Sequence, residues 1–86
     1  FCAMAIEALA DAGVKYGLPR VTAYRLASGV LAGTGELQLK TGDHPGAIKD
    51  GVCSPAGSTI RGVEALEKHG LRTALIEAVN ATLEVG

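Results

Sequence analysis

The residues best suited to do chemistry lie in one run, Asp50-Gly51-Val52-Cys53-Ser54-Pro55-Ala56-Gly57-Ser58-Thr59-Ile60-Arg61-Gly62. Ser54 followed by Pro55 fits an N-cap and a first helical position. The backbone N–H groups of the next turn would then have no intrahelical partner, and with the positive end of the helix dipole they suit a carboxylate or a phosphate. Gly57 and Gly62, about one and a half turns apart, would thin the surface there. Thr59 adds a hydroxyl able to donate or accept, and Asp50-Gly51-Val52 reads as a loop able to fold over a ligand. The same residues also read as a plain helix start, since N-caps occur at every helix. On the residues alone both readings stand.

Other reactive side chains offer less. Cys53 flanks the run, but no adjacent base or cationic cluster would activate its thiol, so its default role is a small buried residue. His44, between Asp43 and Pro45, reads as a surface loop residue. His69 sits beside a Gly70 stop, where a cation favours the helix dipole. Lys49 and Arg61 could attract an anion, but solvated charge is the commoner explanation; Arg20, Arg25 and Arg72 read as helix-surface charges. Gly33-Thr34-Gly35 lacks the third glycine and the preceding strand of a dinucleotide loop. Cys2 and Cys53 have no spacing that would make a metal site, and none is expected.

The elements that must position the run are helical. Cys2, Ile6, Leu9, Gly13 and Tyr16 recur at helical spacing, with Glu7, Asp11 and Lys15 on another stripe. Gly17 is expected to cap this helix, and Pro19 to open a second one running to about Lys40. Ala23, Leu26, Ala27, Val30, Thr34 and Leu37 form one face of the second helix. Gly29, Gly33 and Gly35 inside it each cost about 1 kcal/mol relative to alanine. Close contact with another helix would offset that cost, placing this helix at the centre of the domain or of a dimer. Thr41-Gly42-Asp43 breaks it, and a short helical turn is expected from Pro45 to Asp50. After the run, Ile60, Val63, Leu66 and Glu67 continue a helix to Gly70, and Leu71, Leu75, Val79 and Leu83 mark a last one. No stretch alternates with period two, so the expected fold is all-α, about five helices, without internal repeats.

Composition bounds the rest. In 86 residues the aliphatic content is high (48% AVILMFWYC) while aromatics are 3%, and Ala (14) and Gly (12) are abundant. Such a core lacks bulky anchors, and a chain this small buries only about 60% of its unfolded surface. Both facts favour a second subunit supplying part of the core. The net charge of −1 is scattered, with no basic cluster or recognition helix for nucleic acid. No apolar run approaches the roughly 20 residues that span a bilayer. Two cysteines are too few for a disulfide scaffold, which suits a reducing, intracellular setting. The chain opens on Phe1 within an apolar helical pattern, so a segment upstream is expected.

The residues His44 to Ile60, with Gly62-Val63-Glu64-Ala65-Leu66-Glu67, resemble the signature of the pyrroline-5-carboxylate reductase family. Glu7 to Val14, Gly17-Leu18-Pro19-Arg20 and Gly70-Leu71-Arg72 are similar to the same family, so the resemblance covers nearly the whole chain. It implies that residues 1–86 are the C-terminal helical dimerisation and substrate-binding domain of a two-domain enzyme, without its N-terminal Rossmann domain. That enzyme reduces 1-pyrroline-5-carboxylate to L-proline with NAD(P)H, the last step of proline biosynthesis. It further implies an interlocking homodimer, sometimes a decamer, with the active site between the Rossmann domain of one subunit and the helical domain of its partner. Carried over by position, Gly57, Ser58 and Thr59 bind the substrate carboxylate, and the Thr59 hydroxyl, the catalytic candidate, faces the ring nitrogen. Val52 and Ser54 line the substrate and nicotinamide pocket, while NADP or NAD is held mainly by the other domain. Ala56 stands where many members have glycine, a change expected to tighten the loop, and Gly42 where some carry glutamate. The fragment alone is expected to be inactive, and the compartment cytoplasmic, with a mitochondrial one left open. The competing reading is a helical dimerisation module without a catalytic contribution.

Overall fold

The computed structural model describes residues 1–84, and among these it contains five helices and no strand. They are α1 (Cys2–Lys15), α2 (Arg20–Thr41), α3 (Pro45–Val52), α4 (Ser58–Lys68) and α5 (Leu71–Leu83). Two compact units result, one from Phe1 to His44 and one from Pro45 onward.

The first unit is a helical hairpin built on small residues. Ala10, Ala23 and Ala27 are its buried core, with Ile6 and Val14 packed against them. The stripe facing α2 is thus Ile6-Ala10-Gly13-Val14. The expected stripe ran from Cys2 to Tyr16, but both of those ends are exposed. Without large side chains at the contact, the backbones come close. A Cβ on Gly13 would lie 3.1 Å from Leu18 Cδ1 and 3.4 Å from Ala23 Cβ.

The turn that closes the hairpin follows from Gly17. Leu18 N–H donates to the Gly13 carbonyl and Gly17 N–H to the Val14 carbonyl, both at 3.0 Å. This is the Schellman pattern, and it requires the left-handed φ of +107° that glycine tolerates. Pro19 then serves as N-cap of α2 rather than lying in its first turn, and its carbonyl accepts from Ala23 N–H at 2.9 Å. Arg20 donates to the Asp11 carboxylate across the hairpin, which raises the guanidinium pKa above its ordinary value. Any stability linked to that shift is present below the ordinary value and is lost only above it, beyond working pH.

The long helix α2 ends as expected at Gly42, which is left-handed with φ +68°, and the Thr41 hydroxyl accepts from Asp43 N–H at 3.1 Å. Its interior glycines do not follow expectation within the chain. Hypothetical Cβ atoms on Gly29, Gly33 and Gly35 would meet nothing within 4 Å. No helix of this hairpin crosses α2 closely at those positions, so α2 is not the packed centre of a single-chain domain. Leu26, Val30 and Leu37 remain 54%, 59% and 48% exposed. With Leu9, Gly13 and Leu18, the first two of these line an apolar cavity of about 190 Å³.

In the second unit α3 extends to Val52, further than the single turn expected, and α5 spans the residues anticipated for it. The α4–α5 connection turns on Gly70, at φ +73°, whose N–H donates to the Glu67 carbonyl at 3.2 Å. Arg72 Nε donates to Glu67 Oε1 at 2.8 Å across the same corner. No helix among the described residues is long and apolar enough to cross a membrane.

Candidate functional site

The segment between α3 and α4 carries the candidate site, and its backbone differs from the expected helix start. Ser54 does not cap a helix. The Ser54 carbonyl accepts from Gly57 N–H at 3.0 Å, Pro55 occupies the second position, and Ala56 has φ +58°. A proline followed by a positive φ, closed by that hydrogen bond, is the pattern of a type II turn. Helix α4 begins only at Ser58, with Gly57 as its extended N-cap. Ser-Pro-x-Gly satisfies both motifs locally. The turn wins here because its hydrogen bond closes on Gly57, leaving Pro55 one turn too early for a first helical position.

Gly57 sits where the Ser54 segment approaches closely. A Cβ there would overlap Ser54 Oγ and lie 3.2 Å from the Ser54 carbonyl oxygen. A glycine N-cap also brings no side-chain oxygen, and no side-chain cap bond forms at this end. Of the four N–H groups that a helix start leaves without intrahelical partners, Gly57's is used by Ser54. Those of Ser58, Thr59 and Ile60 receive no side-chain cap, and no acidic residue in the first turn answers the dipole. Ser58 and Thr59 are both exposed residues. That arrangement has the donor geometry and polarity for one carboxylate.

The other expected participants divide. Val52 is exposed at the end of α3, and Ser54 lies exposed in the turn. Asp50-Gly51-Val52 is the last turn of α3, so it is not a flap able to fold over a ligand. Gly62 lies in open space, and its lack of a side chain accommodates nothing in the chain. Cys53 is half-buried with a free thiol, and Cys2 is free and exposed. Lys49 is paired with Asp50 at 3.3 Å rather than directed at the turn. Gly33-Thr34-Gly35 lies inside α2, which disposes of a phosphate loop there. Among the described residues no group of His, Cys, Asp or Glu could hold a metal ion.

Two features escaped the sequence. Ala56 adopts a left-handed conformation that glycine favours. Arg61 reaches back from the body of α4, donating from Nη2 to the Ala56 carbonyl at 3.4 Å. Spacing alone gives no sign of that contact.

A small all-α domain of five helices with a glycine-capped, anion-ready helix start is the class that fold and site define. Residues 1–86 match the family described as pyrroline-5-carboxylate reductase dimerisation, and the chain belongs to it. It is 64% identical over 83 residues to a pyrroline-5-carboxylate reductase of Treponema pallidum, covering 96% of this chain and 32% of that one. The reductase of Escherichia coli is 51% identical over 81 residues, covering 94% and 30%. The chain thus spans about a third of the length of the curated relatives it matches. Among solved structures, 1-pyrroline-5-carboxylate reductase from Streptococcus pyogenes superposes with a TM-score of 0.86 at 35% identity, covering 90% of this chain and 30% of that one. The Plasmodium falciparum pyrroline carboxylate reductase with NADP bound gives 0.84 at 37% identity, covering 88% and 29%.

Proposed function

We propose that this chain supplies the substrate half-site of an NAD(P)H-dependent pyrroline-5-carboxylate reductase that makes L-proline. The observation that carries the reading is the start of α4, where a glycine N-cap leaves the first turn without a side-chain cap or an acidic residue. In this reading the Ser58 and Thr59 amides, with the turn through Gly57, hold the substrate carboxylate. The ring is then fixed with its nitrogen toward the Thr59 hydroxyl, whose oxygen accepts from the N–H of the protonated imine. Placement of this kind is the protein's main contribution when a cofactor carries the reaction.

The reduced nicotinamide, when bound, supplies the hydride that adds to C5 of the ring, while the C=N electron pair passes to nitrogen. Val52, an exposed apolar side chain, and Ser54, an exposed hydroxyl, fit one face of a nicotinamide. Nothing among the described residues cradles a dinucleotide phosphate, since the one glycine pair of that type is inside α2. The cofactor is therefore assigned mainly to a Rossmann domain outside residues 1–86. The exposed Leu26, Val30 and Leu37 support a homodimer through α2, in keeping with the family's description as a dimerisation domain. A decamer and a cytoplasmic location are further parts of this reading.

The competing reading, a dimerisation module with no part in catalysis, draws on the same exposed face of α2. The two are separated in the complete reductase by Thr59→Ala. Loss of one well-placed hydrogen-bond partner predicts a fall in kcat/KM on the order of ten to a thousandfold. Titration calorimetry with proline should also weaken on substitution at Ser58 or Thr59. Unchanged kinetics and unchanged binding would leave the module reading.

A further inference from the structure

The α3–α5 unit carries the candidate site, yet none of its described residues is buried. The buried residues among those described are Ala10, Ala23 and Ala27, all in the hairpin. Helices α3, α4 and α5 have 8, 11 and 13 residues. Isolated helices shorter than about 12–15 residues are marginal in water, so these three need packing to persist. Among them lies a cavity of about 300 Å³ with Val63, Leu66 and Leu71 in its walls, where a self-sufficient unit would hold a filled core.

Helix α5 presents its larger side chains outward. At about 100° per residue, Leu75, Ile76, Val79 and Leu83 fall within an arc of about 100°, the width of a core-facing stripe. All four are exposed, while Ala78, on a neighbouring side, is the half-buried residue of this helix. Four large aliphatic side chains in a row, left in water beside a partly covered alanine, make a contiguous apolar patch of the kind that marks an interaction surface.

We propose that a second copy of this chain covers the Leu75–Leu83 stripe, and that the α3–α5 unit holds its fold only in that contact. Two observations select a second copy as the occupant. The family to which the chain belongs is described as a dimerisation domain. The α2 stripe, the other surface assigned to the dimer, offers three large side chains, Leu26, Val30 and Leu37. A standard interface engages about 20–30 residues a side, so α2 alone falls well short and the α5 stripe supplies more of the contact. Folding of the α3–α5 unit and association are then one step. The carboxylate site at the start of α4 exists only in the assembled protein, a consequence that rests on the function proposed above.

The test is Val79→Glu in the complete reductase, with sedimentation to read assembly and hydrogen exchange to read peptides of α4 and α5. A carboxylate forced into the contact should weaken association by about a hundredfold or more. Exchange over α4 and α5 should rise by about tenfold or more in step with dissociation, because the unit opens when its partner leaves. Faster exchange in an intact assembly would mean that the stripe packs within its own chain, and would overturn the proposal. Dissociation with α4 and α5 still protected would overturn it too, as would no change in either measurement. Should Val79→Glu fail to accumulate as folded protein, the contact is read without a charge by placing photoreactive p-benzoylphenylalanine at Ile76 in co-expressed copies bearing two different tags. A cross-linked product carrying both tags is expected; a link confined to one copy, or no link, would refute the contact. Neither measurement requires activity, so a wild-type protein without reductase activity would sink the functional reading and leave the coupled fold to be judged separately.

Discussion

Gly33 and Gly35 lie two residues apart in α2, and a hypothetical Cβ on either meets nothing within 4 Å. At 3.6 residues per turn, Gly33 falls beside the exposed stripe of Leu26, Val30 and Leu37, while Gly35 falls roughly opposite Leu26. Within one chain, Gly→Ala at either position should therefore gain about 0.8–1.0 kcal/mol of helix propensity with no packing penalty. If a second copy packs its backbone against the stripe, a methyl at Gly33 overfills that contact, at about 1–3 kcal/mol per chain. A two-fold interface repeats the penalty in both copies. Propensity cancels between the two variants, so Gly33→Ala should be less stable as a dimer than Gly35→Ala by about 2–6 kcal/mol. That is from about thirtyfold to about twenty-thousandfold in apparent dissociation. Sedimentation equilibrium over a wide concentration range, paired with denaturant unfolding fitted as dimer to unfolded chains, measures both quantities. A difference within about 0.5 kcal/mol would refute the argument that the Gly33 side of α2 is where copies meet, and would leave the helix glycines without a packing reason.

Two further substitutions test the turns. Gly17→Ala places a Cβ at φ +107° in the Schellman closure of the hairpin and should lower unfolding stability by about 1 kcal/mol or more, read by chemical denaturation; no change would mean that the turn rearranges freely. Gly57→Ala brings a Cβ onto Ser54 Oγ and close to the Ser54 carbonyl, so it should shift the N-cap and weaken proline binding in the complete reductase by about tenfold or more. Wild-type affinity in that variant would separate the carboxylate site from the N-terminus of α4.

Much of the secondary structure was legible because its signals are local. Gly42 and Gly70 stop helices by allowing a left-handed residue, and the Leu71-Leu75-Val79-Leu83 spacing marks α5 without reference to any neighbour. The start of α4 was not legible to the residue, since Ser-Pro-x-Gly satisfies a helix start and a turn equally. Only the hydrogen bond from Gly57 N–H to the Ser54 carbonyl chooses between them. The buried stripe of α1 was misplaced for a similar reason. Periodicity finds an apolar face, but it does not say that alanines and a glycine, rather than Leu9 or Tyr16, allow the closest approach of α2.

By itself the sequence determined the helical class, the helix ends that rest on glycine, and the family. These follow from propensity, backbone freedom and motif, each set by residues a few positions apart. Tertiary structure decided that Gly57 rather than Ser54 caps α4, that Ala56 takes a left-handed conformation, and that Arg61 reaches the turn. It also decided that a Cβ on the α2 glycines meets nothing close by and that Leu26 and Leu37 stay about half exposed. Those outcomes depend on which hydrogen bonds close and which backbones approach, and residue spacing does not encode such distances.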